Sequence, residues 1–296
     1  EEGYVDGWDD PRLVSISGLR RRGFTPGSIK KFVEISGISK SQGSSDYAAL
    51  EYCIREDLKP ACSRMMAVLD PIKLVIDNWP KNEDGTPVIE YLDAPNNLEN
   101  PELGERKLPF GGELYIERED FMEDGGKKFM RLGPGKEVRL KNAYIIKCDE
   151  DASKCIEKDA EGNITCIHAT YDPDSRSGMP GADRKIKGKT LHWVSQAHSI
   201  PCEVRDYNCL WTCENPRDAI KQYEKENGVR GIDAMRPFLN PDSLRVNKNA
   251  YIEEWAATLP HLSYLQFQRI GYYNVDTDST PEHPVFNKTV GLRDTK

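Results

Sequence analysis

The stretch MMAVLDPIKLVI, Met65 to Ile76, is where the chain changes its period. Before it, apolar residues recur at helical spacing: Ile29, Phe32 and Val33, then Tyr47, Leu50, Ile54 and Leu58. After it, short apolar runs are broken by Gly, Pro, Asn and Asp. These runs are KLVI at 73–76, VIEYL at 88–92, ELYI at 113–116, then 129–132, 137–148, 164–171, 190–195, 200–207 and 209–212. Short apolar runs bounded by turn residues predict strands. Many short strands at even spacing predict barrels or a sandwich rather than a parallel sheet.

Upstream, Ser15 or Ser17 can cap a helix that ends at Arg20-Arg21-Arg22 and Gly23. Bases in a last turn suit the negative end of the helix dipole. Thr25-Pro26 pairs a cap residue with proline at the first helical position, and Gly37 closes that helix. A third helix is expected from Ser45 or Asp46 to the stop at Pro60. Downstream, Asp159-Ala-Glu-Gly-Asn-Ile reads as a hairpin turn, and Asn215-Pro216 to Gly228 as a helix inserted between strands. Tyr251–Leu259 is a further helical candidate, followed by strands at 264–267, 272–275 and 285–290.

The 296 residues suit two or three domains. Composition is that of an ordinary globular chain, 30 % charged with a net charge of −8. No apolar run is long enough to span a bilayer, and the acidic start EEGYVDGWDDPR is neither a signal nor a transit peptide. Without an initiator Met, the chain is expected to be part of a longer one. The eight cysteines form no CxxC pair and are expected as reduced thiols. A zinc reading of Cys209 and Cys213 with His192 and His198 fails on spacing, and no metal site is expected.

Against the acidic background, Lys127 to Lys147 (KKFMRLGPGKEVRLKNAYIIK) carries seven bases and the single acid Glu137. Arg131 precedes a Leu-Gly-Pro-Gly turn, and bases clustered at a turn can grip phosphates. The same pattern also describes a solvated hairpin or a charge-guarded edge strand. Arg20–Arg22 and Arg184, Lys185, Lys187 and Lys189 carry the same two readings. Ser39-Lys40-Ser41 evokes an ATP-binding lysine loop, yet no nucleotide-binding strand–turn–helix precedes it. No Walker A, GxGxxG, GxSxG or HExxH motif occurs. Asp9-Asp10 adjoins a proline and reads as a cap; His192 and His198 read as structural histidines.

Taken together, GWDDPR at 7–12, ISGLRRRGF at 16–24, LEYCIREDL at 50–58, AVLDPIKLVI at 67–76, LGPGKEVRLKNAY at 132–144, EKDAEGNIT at 157–165 and PVFNKTVGLRDT at 284–295 resemble the glutaminyl-tRNA synthetase family. The resemblance covers essentially the whole chain, and no single motif carries it. It implies a mainly β fold with a helical N-terminal subdomain and two anticodon-binding β-barrels of the ribosomal-protein type. The implied division is residues 1–62 helical, 63–118 with 240–296 a proximal barrel, and 119–239 a distal barrel with the insertion near 215–236. In the family the catalytic nucleotide-binding fold and lysine loop precede GWDDPR, so this portion alone is expected to be inactive.

Carried over residue by residue, the resemblance implies an anticodon site of Arg64, Arg131, Arg139, Lys141, Gln266 and Arg269. Arg20, Arg21, Arg22, Lys128, Lys136 and Lys185 are candidates for the tRNA backbone. Gln266 can donate to and accept from a uracil edge, and the arginines can pair with base acceptors or phosphates. Met130, Lys141, Gln268 and Ile270 depart from the family's usual residues; Lys141 in place of arginine loses bidentate geometry. The implied partner is tRNA(Gln), with no membrane. The parent enzyme would be a cytoplasmic, monomeric ligase that uses ATP and Mg2+ through an aminoacyl-adenylate, with no cofactor held by this portion. Two alternatives are the equivalent region of a eukaryotic or archaeal-type glutamyl-tRNA synthetase and a non-enzymatic RNA-binding barrel module.

Overall fold

The computed structural model describes residues 3–37 and 47–293. Three helices come first: α1 (Ile16–Arg22), α2 (Pro26–Ser36) and α3 (Tyr47–Ala61). Ser15 caps α1, its Oγ accepting from the Gly18 amide at 2.9 Å. Gly23 ends α1 at φ +102°, where a Cβ would also collide with Thr289 and Asn274, so both conformation and space demand glycine. Thr25 caps α2 through the Ser28 amide at 3.0 Å, with Pro26 as the first helical residue. The expected start of α3 at Ser45 or Asp46, and Ser39-Lys40-Ser41, lie outside the described residues. Pro60 sits within the last turn of α3. Leu19, Phe24, Leu50, Ile54 and Leu58 bury this helical layer against Tyr272 and Val290.

The strands are β1 (Ser63–Met65), β2 (Ala67–Val68), β3 (Pro71–Ile76), β4 (Glu90–Pro95), β5 (Glu105–Phe110), β6 (Glu113–Glu117), β7 (Glu137–Leu140), β8 (Ile145–Lys147), β9 (Ile156–Lys158), β10 (Ile164–Tyr171), β11 (Thr190–Leu191), β12 (Val194–Ser195), β13 (Ser199–Tyr207), β14 (Leu244–Glu253), β15 (Tyr264–Phe267), β16 (Gly271–Val275) and β17 (Val285–Gly291). One sheet runs β1-β15-β16-β17-β13-β14-β2. The other runs β11-β7-β8-β10-β3-β6-β12, with β9 also paired to β10. In the first, β1 and β2 lie at opposite edges yet only Met66 separates them in sequence. In the second, β11 and β12 lie at opposite edges with only His192 and Trp193 between them. Edges joined by so few residues must meet in space, so each sheet curls into a barrel. The fold is mainly β, with a helical layer at its start.

Alternation explains the cores. In β3, Ile72, Leu74 and Ile76 point inward while Pro71, Lys73 and Val75 are half-buried. The second barrel fills with Trp79, Phe110, Tyr144 and Trp193, the Phe110 and Trp193 rings meeting edge-on at 4.9 Å. The first packs Phe267 on Tyr273, centroids 4.0 Å apart, with Phe286 across from them.

Strand pairing groups the chain otherwise than the implied division. The strands β3 and β6 pair with β10 and β12 of the second barrel, and β13 sits between β17 and β14 of the first. Parallel pairing of β3 with β10, and of β13 with β17, joins segments far apart in sequence. Residues 129–132 and 209–212 contribute isolated bridges at Leu132 and Trp211 rather than strands. The longest strand, β14, extends through Tyr251–Glu253, and only Glu254–Thr258 coil into a short 3-10 turn. Its polar LRVNKNAYIE sequence alternates weakly, and pairing with β13 and β2 on either side makes it a strand. The inserted helix, Pro216–Asn227, forms as expected, capped by Asn215 and ended by Gly228 in the left-handed region.

Candidate nucleic-acid interface

The ribbon borders a cavity of about 380 Å³. Lys127, Phe129, Met130, Arg131, Lys136, Lys147, Lys185, Ile186 and Lys187 line it, with Glu137 as the one acid. Gly188 lets the Lys185–Lys189 segment lie against β7; a Cβ there would overlap the Glu137 carbonyl. Lys136 turns its Nζ inward, donating to the carbonyls of Gly126 at 2.7 Å and Phe129 at 2.8 Å, 5.0 Å from the Phe129 ring centroid. It therefore holds the 126–129 turn and presents Phe129. Lys128 and Lys185 are exposed, and Lys185 lines the cavity. A half-buried aromatic ring among lysines is a platform on which a base can stack, with cations for the flanking phosphates.

A second, tighter cavity of about 60 Å³ lies where the barrels meet, bounded by Arg64, Pro95, Leu98, Lys141, Asn142 and Gln268. Parallel pairing sets Arg64 opposite Gln266, so these two stand side by side. Gln268, two residues on from Gln266, reaches the cavity from the first barrel, and Lys141 and Asn142 from the second. Asn142 takes φ +58°, as asparagine tolerates in a tight turn. Arg64 donates from Nη2 to Glu99 Oε1 at 2.7 Å. That hydrogen bond is the main cause holding the Glu99 carboxyl below its ordinary range. Arg64 Nε and Gln266 Oε1 are buried with no hydrogen-bond partner among the described residues. A buried polar atom without a partner is costly unless a ligand supplies one. Lys141 has no carboxylate within ion-pair distance among the described residues; the Trp193 indole donates to its carbonyl at 2.9 Å.

Arg131 of the first cavity belongs to an ionic junction that also takes in Arg269, the residue after Gln268 of the second. Asp120, wholly buried, accepts from Arg269 Nη1 at 2.6 Å and Nη2 at 2.8 Å, and pairs with Arg131 Nε at 3.2 Å. Arg131 also donates to Glu119 Oε1 at 3.0 Å. Arg269, at φ +70° in the β15–β16 turn, reaches His192 Nδ1 at 3.1 Å. His192 Nε2 lies 3.3 Å from Glu117, whose carboxylate accepts the amides of Leu69 and Asp70. Burial pushes the Glu117 carboxyl up, but His192 and those two amides outweigh it and hold the group below its ordinary range. The network binds a turn of the first barrel to the closure point of the second and to the link between β2 and β3.

Comparison with known proteins places this geometry. The family model "tRNA synthetases class I (E and Q), anti-codon binding domain" matches residues 62–172, and a second model of the same description matches 190–276. The "tRNA synthetases class I (E and Q), catalytic domain" model matches residues 1–60. The chain belongs to the class I (E and Q) tRNA synthetase family. It is 45 % identical over 99 % of its length to the glutamine–tRNA ligase of Vibrio vulnificus (strain YJ016), covering 49 % of that protein. It is equally identical, 45 %, to the Citrobacter koseri enzyme of the same name and 46 % identical to that of Escherichia coli (strain K12 / DH10B), covering 48 % of each. The chain thus spans about half the length of the curated relatives it matches.

Within this synthetase portion, several expected RNA contacts are turned inward. Arg139 donates to the carbonyls of Ser175 and Ala182, bracing the 173–183 loop. Arg21 pairs with Asp276 at 3.0 Å, Asp278 at 2.8 Å and Asp9 at 3.2 Å. Arg22 donates to the Tyr207 carbonyl at 3.1 Å and lies against the Tyr47 and Tyr207 rings. Of the three arginines only Arg20 is exposed, because the helix end packs against the first barrel. Asn142, Leu98 and Glu99 were missed from sequence; the Lys-Asn turn in LKNAY was the one local signal for Asn142. Among the described residues no helix is long and apolar enough to cross a membrane.

Proposed function

We propose that this chain is the tRNA-binding, anticodon-recognising portion of a glutamine–tRNA ligase. That enzyme attaches glutamine to tRNA(Gln) through an aminoacyl-adenylate, using ATP and Mg2+, as a cytoplasmic monomer. One observation carries the anticodon reading: the small cavity built jointly by both barrels, beside which Arg64 Nε and Gln266 Oε1 are buried with no partner among the described residues. The Gln266 carbonyl can accept the imino proton of a uracil, and Arg64 can donate to a base carbonyl while Glu99 holds its far end. Single-stranded bases splayed from their stack expose these edges.

The larger cavity then serves a neighbouring nucleotide. Phe129 offers a stacking face, and Lys127, Lys147, Lys185 and Lys187 neutralise phosphates. Lys141, a point charge, suits a phosphate better than a planar base edge. Asp120 places Arg131 at the rim of this cavity and Arg269 between the barrels.

The test is binding of the chain to the anticodon stem–loop of a glutamine-accepting tRNA and to versions with each anticodon base replaced. Arg64→Ala is expected to weaken binding by ~1–3 kcal/mol and to level the discrimination at one base position. An equal loss against every base would remove Arg64 from base reading.

A further inference from the structure

On the outer face of the second barrel, three different donor types converge. Antiparallel pairing makes Glu157 of β9 the direct partner of Cys166 of β10. The pleat brings His168, two residues on, to the same side. One carboxylate oxygen, the sulfur and one ring nitrogen lie within 4.8 Å of one another. His168 is oriented from both ends: Nδ1 is 2.8 Å from Asp77 Oδ1 and Nε2 is 3.0 Å from Glu157 Oε1. Cys166 is buried, and its thiol donates to its neighbour's carbonyl, Ile167 O, at 3.8 Å. Lys73, the residue paired with Cys166 on the other side, holds its ammonium toward Glu113 at 3.5 Å.

We propose that Glu157, Cys166 and His168 bind a Zn2+ ion, with a water as fourth ligand and Asp77 orienting the imidazole. The donor set argues for zinc. Sulfur, imidazole nitrogen and carboxylate oxygen together suit a borderline-soft, four-coordinate ion, whereas Mg2+ and Ca2+ take oxygen alone. Bond lengths of about 2.0–2.3 Å require the donors to close to roughly 3.3–3.8 Å apart, a small rotation of the exposed Glu157 and half-buried His168 side chains toward the buried sulfur. Ligation through Nε2 leaves Nδ1–H to donate to Asp77, the carboxylate–histidine–zinc relation that fixes tautomer and ring orientation. On binding, the Cys166 S–H bond breaks, its proton passes to solvent and a Zn–S bond forms; His168 binds as the neutral ring. The ion would fasten the β9–β10 hairpin and, through Asp77 just past β3, the neighbouring strand. The sequence reading missed this group because Glu157 stands on a different strand from the CxH pair, and only pairing unites them.

The test is titration of the metal-free chain with Co2+, followed by displacement with Zn2+. A single Co2+ per chain is expected, with a thiolate-to-cobalt charge-transfer band that Zn2+ abolishes, and a higher melting temperature with either ion. Cys166→Ser and His168→Gln should remove the band, while Cys209→Ser and Cys213→Ser should keep it. Asp77→Asn should keep the band and weaken affinity about 10–100-fold. Should Cys166→Ser fail to fold, Glu157→Gln at an exposed position supplies the same readout through lowered affinity. No thiolate band with the unaltered chain, or a band that survives Cys166→Ser, overturns the proposal and leaves His168 as a proton-bridged link between two acids.

Discussion

Arg131 and Arg269, from different barrels, converge on one carboxylate: both reach Asp120, Arg131 at 3.2 Å and Arg269 at 2.6 and 2.8 Å. Asp120 is inaccessible to solvent, while each arginine keeps about a third of its side chain exposed. The shared acid sets the spacing of two guanidinium groups and ties one barrel to the other. Removing it would leave Arg269 facing His192, with only the weaker fields of Glu119 and Glu117 to offset its charge. Breaking a buried pair from one side costs about 3–5 kcal/mol; Asp120→Ala is expected near the lower end, because Glu119 still partners Arg131. Urea unfolding of the variant checks this, and a loss under about 1 kcal/mol would show that the junction is not a clamp.

Gln266→Leu should separate stability from recognition. The side-chain carbonyl is buried without a partner among the described residues, so replacing it by an apolar group relieves a desolvation penalty rather than breaking a bond. Stability is expected to hold or rise, while affinity for the cognate stem–loop falls by ~1–3 kcal/mol. Paired unfolding and binding curves measure both; a fall in stability with affinity unchanged would reverse the assignment.

Lys185→Ala and Arg139→Ala should differ in kind. Lys185 is an exposed cation on the rim of the larger cavity. Its loss is expected to weaken all RNAs alike and to lower the salt dependence of binding by about one unit of slope. Arg139 is committed to the carbonyls of Ser175 and Ala182. Its loss should act through the 173–183 loop, costing ~1–3 kcal/mol for hydrogen bonds from a charged donor, with faster proteolysis there. Base-specific loss of affinity in Arg139→Ala, with the loop still protected, would restore it as a direct reader.

Acid should loosen the docking of the helical layer through Asp276. Its buried carboxylate accepts from Arg21 Nε at 3.1 Å and Nη2 at 3.0 Å, from the Asp278 amide at 2.8 Å, and from Asn287; Arg205 lies 3.4 Å away. Asp278, Asp9 and Glu203 surround the two arginines. Burial pushes the Asp276 carboxyl up, but Arg21, the Asp278 amide and Asn287 bring it below its ordinary range. A depressed carboxyl contributes stability in full above its unfolded value of about 3.9, and that contribution is lost as pH falls through the folded value. Unfolding curves between about pH 7 and about pH 3 should therefore fall more steeply for the unaltered chain than for Asp276→Asn. Equal slopes would assign the acid sensitivity elsewhere.

Local signals were legible without any structure. Ser15, Thr25-Pro26 and Asn215-Pro216 mark helix starts because a cap's partner is only three residues away. The Asp159 turn closes on its own Asn163 and Glu161 amides. The change of period at Met65 showed where helices give way to strands, and the spread of family-like segments pointed to the class of protein. Arg64, Lys141 and Gln266 were named from sequence, and the structure brings Arg64 and Lys141 to one cavity with Gln266 in register beside Arg64.

What sequence determined by itself was therefore the capped helices, the Asp159 turn and the family, since these are written in contiguous residues, whereas β14 and the bridges at Leu132 and Trp211 were not legible. Tertiary structure alone decided three things: that β1 meets β2, and β11 meets β12, only after each sheet has curled; that β13 joins the first barrel; and that Arg21, Arg22 and Arg139 turn inward while Arg20 and Lys185 stay exposed. The physical reason is the same in each case. A charged or apolar side chain has no fixed role until its cross-strand neighbours exist, and those neighbours lie as far apart in the chain as Arg21 from Asp276 and Asp120 from Arg269.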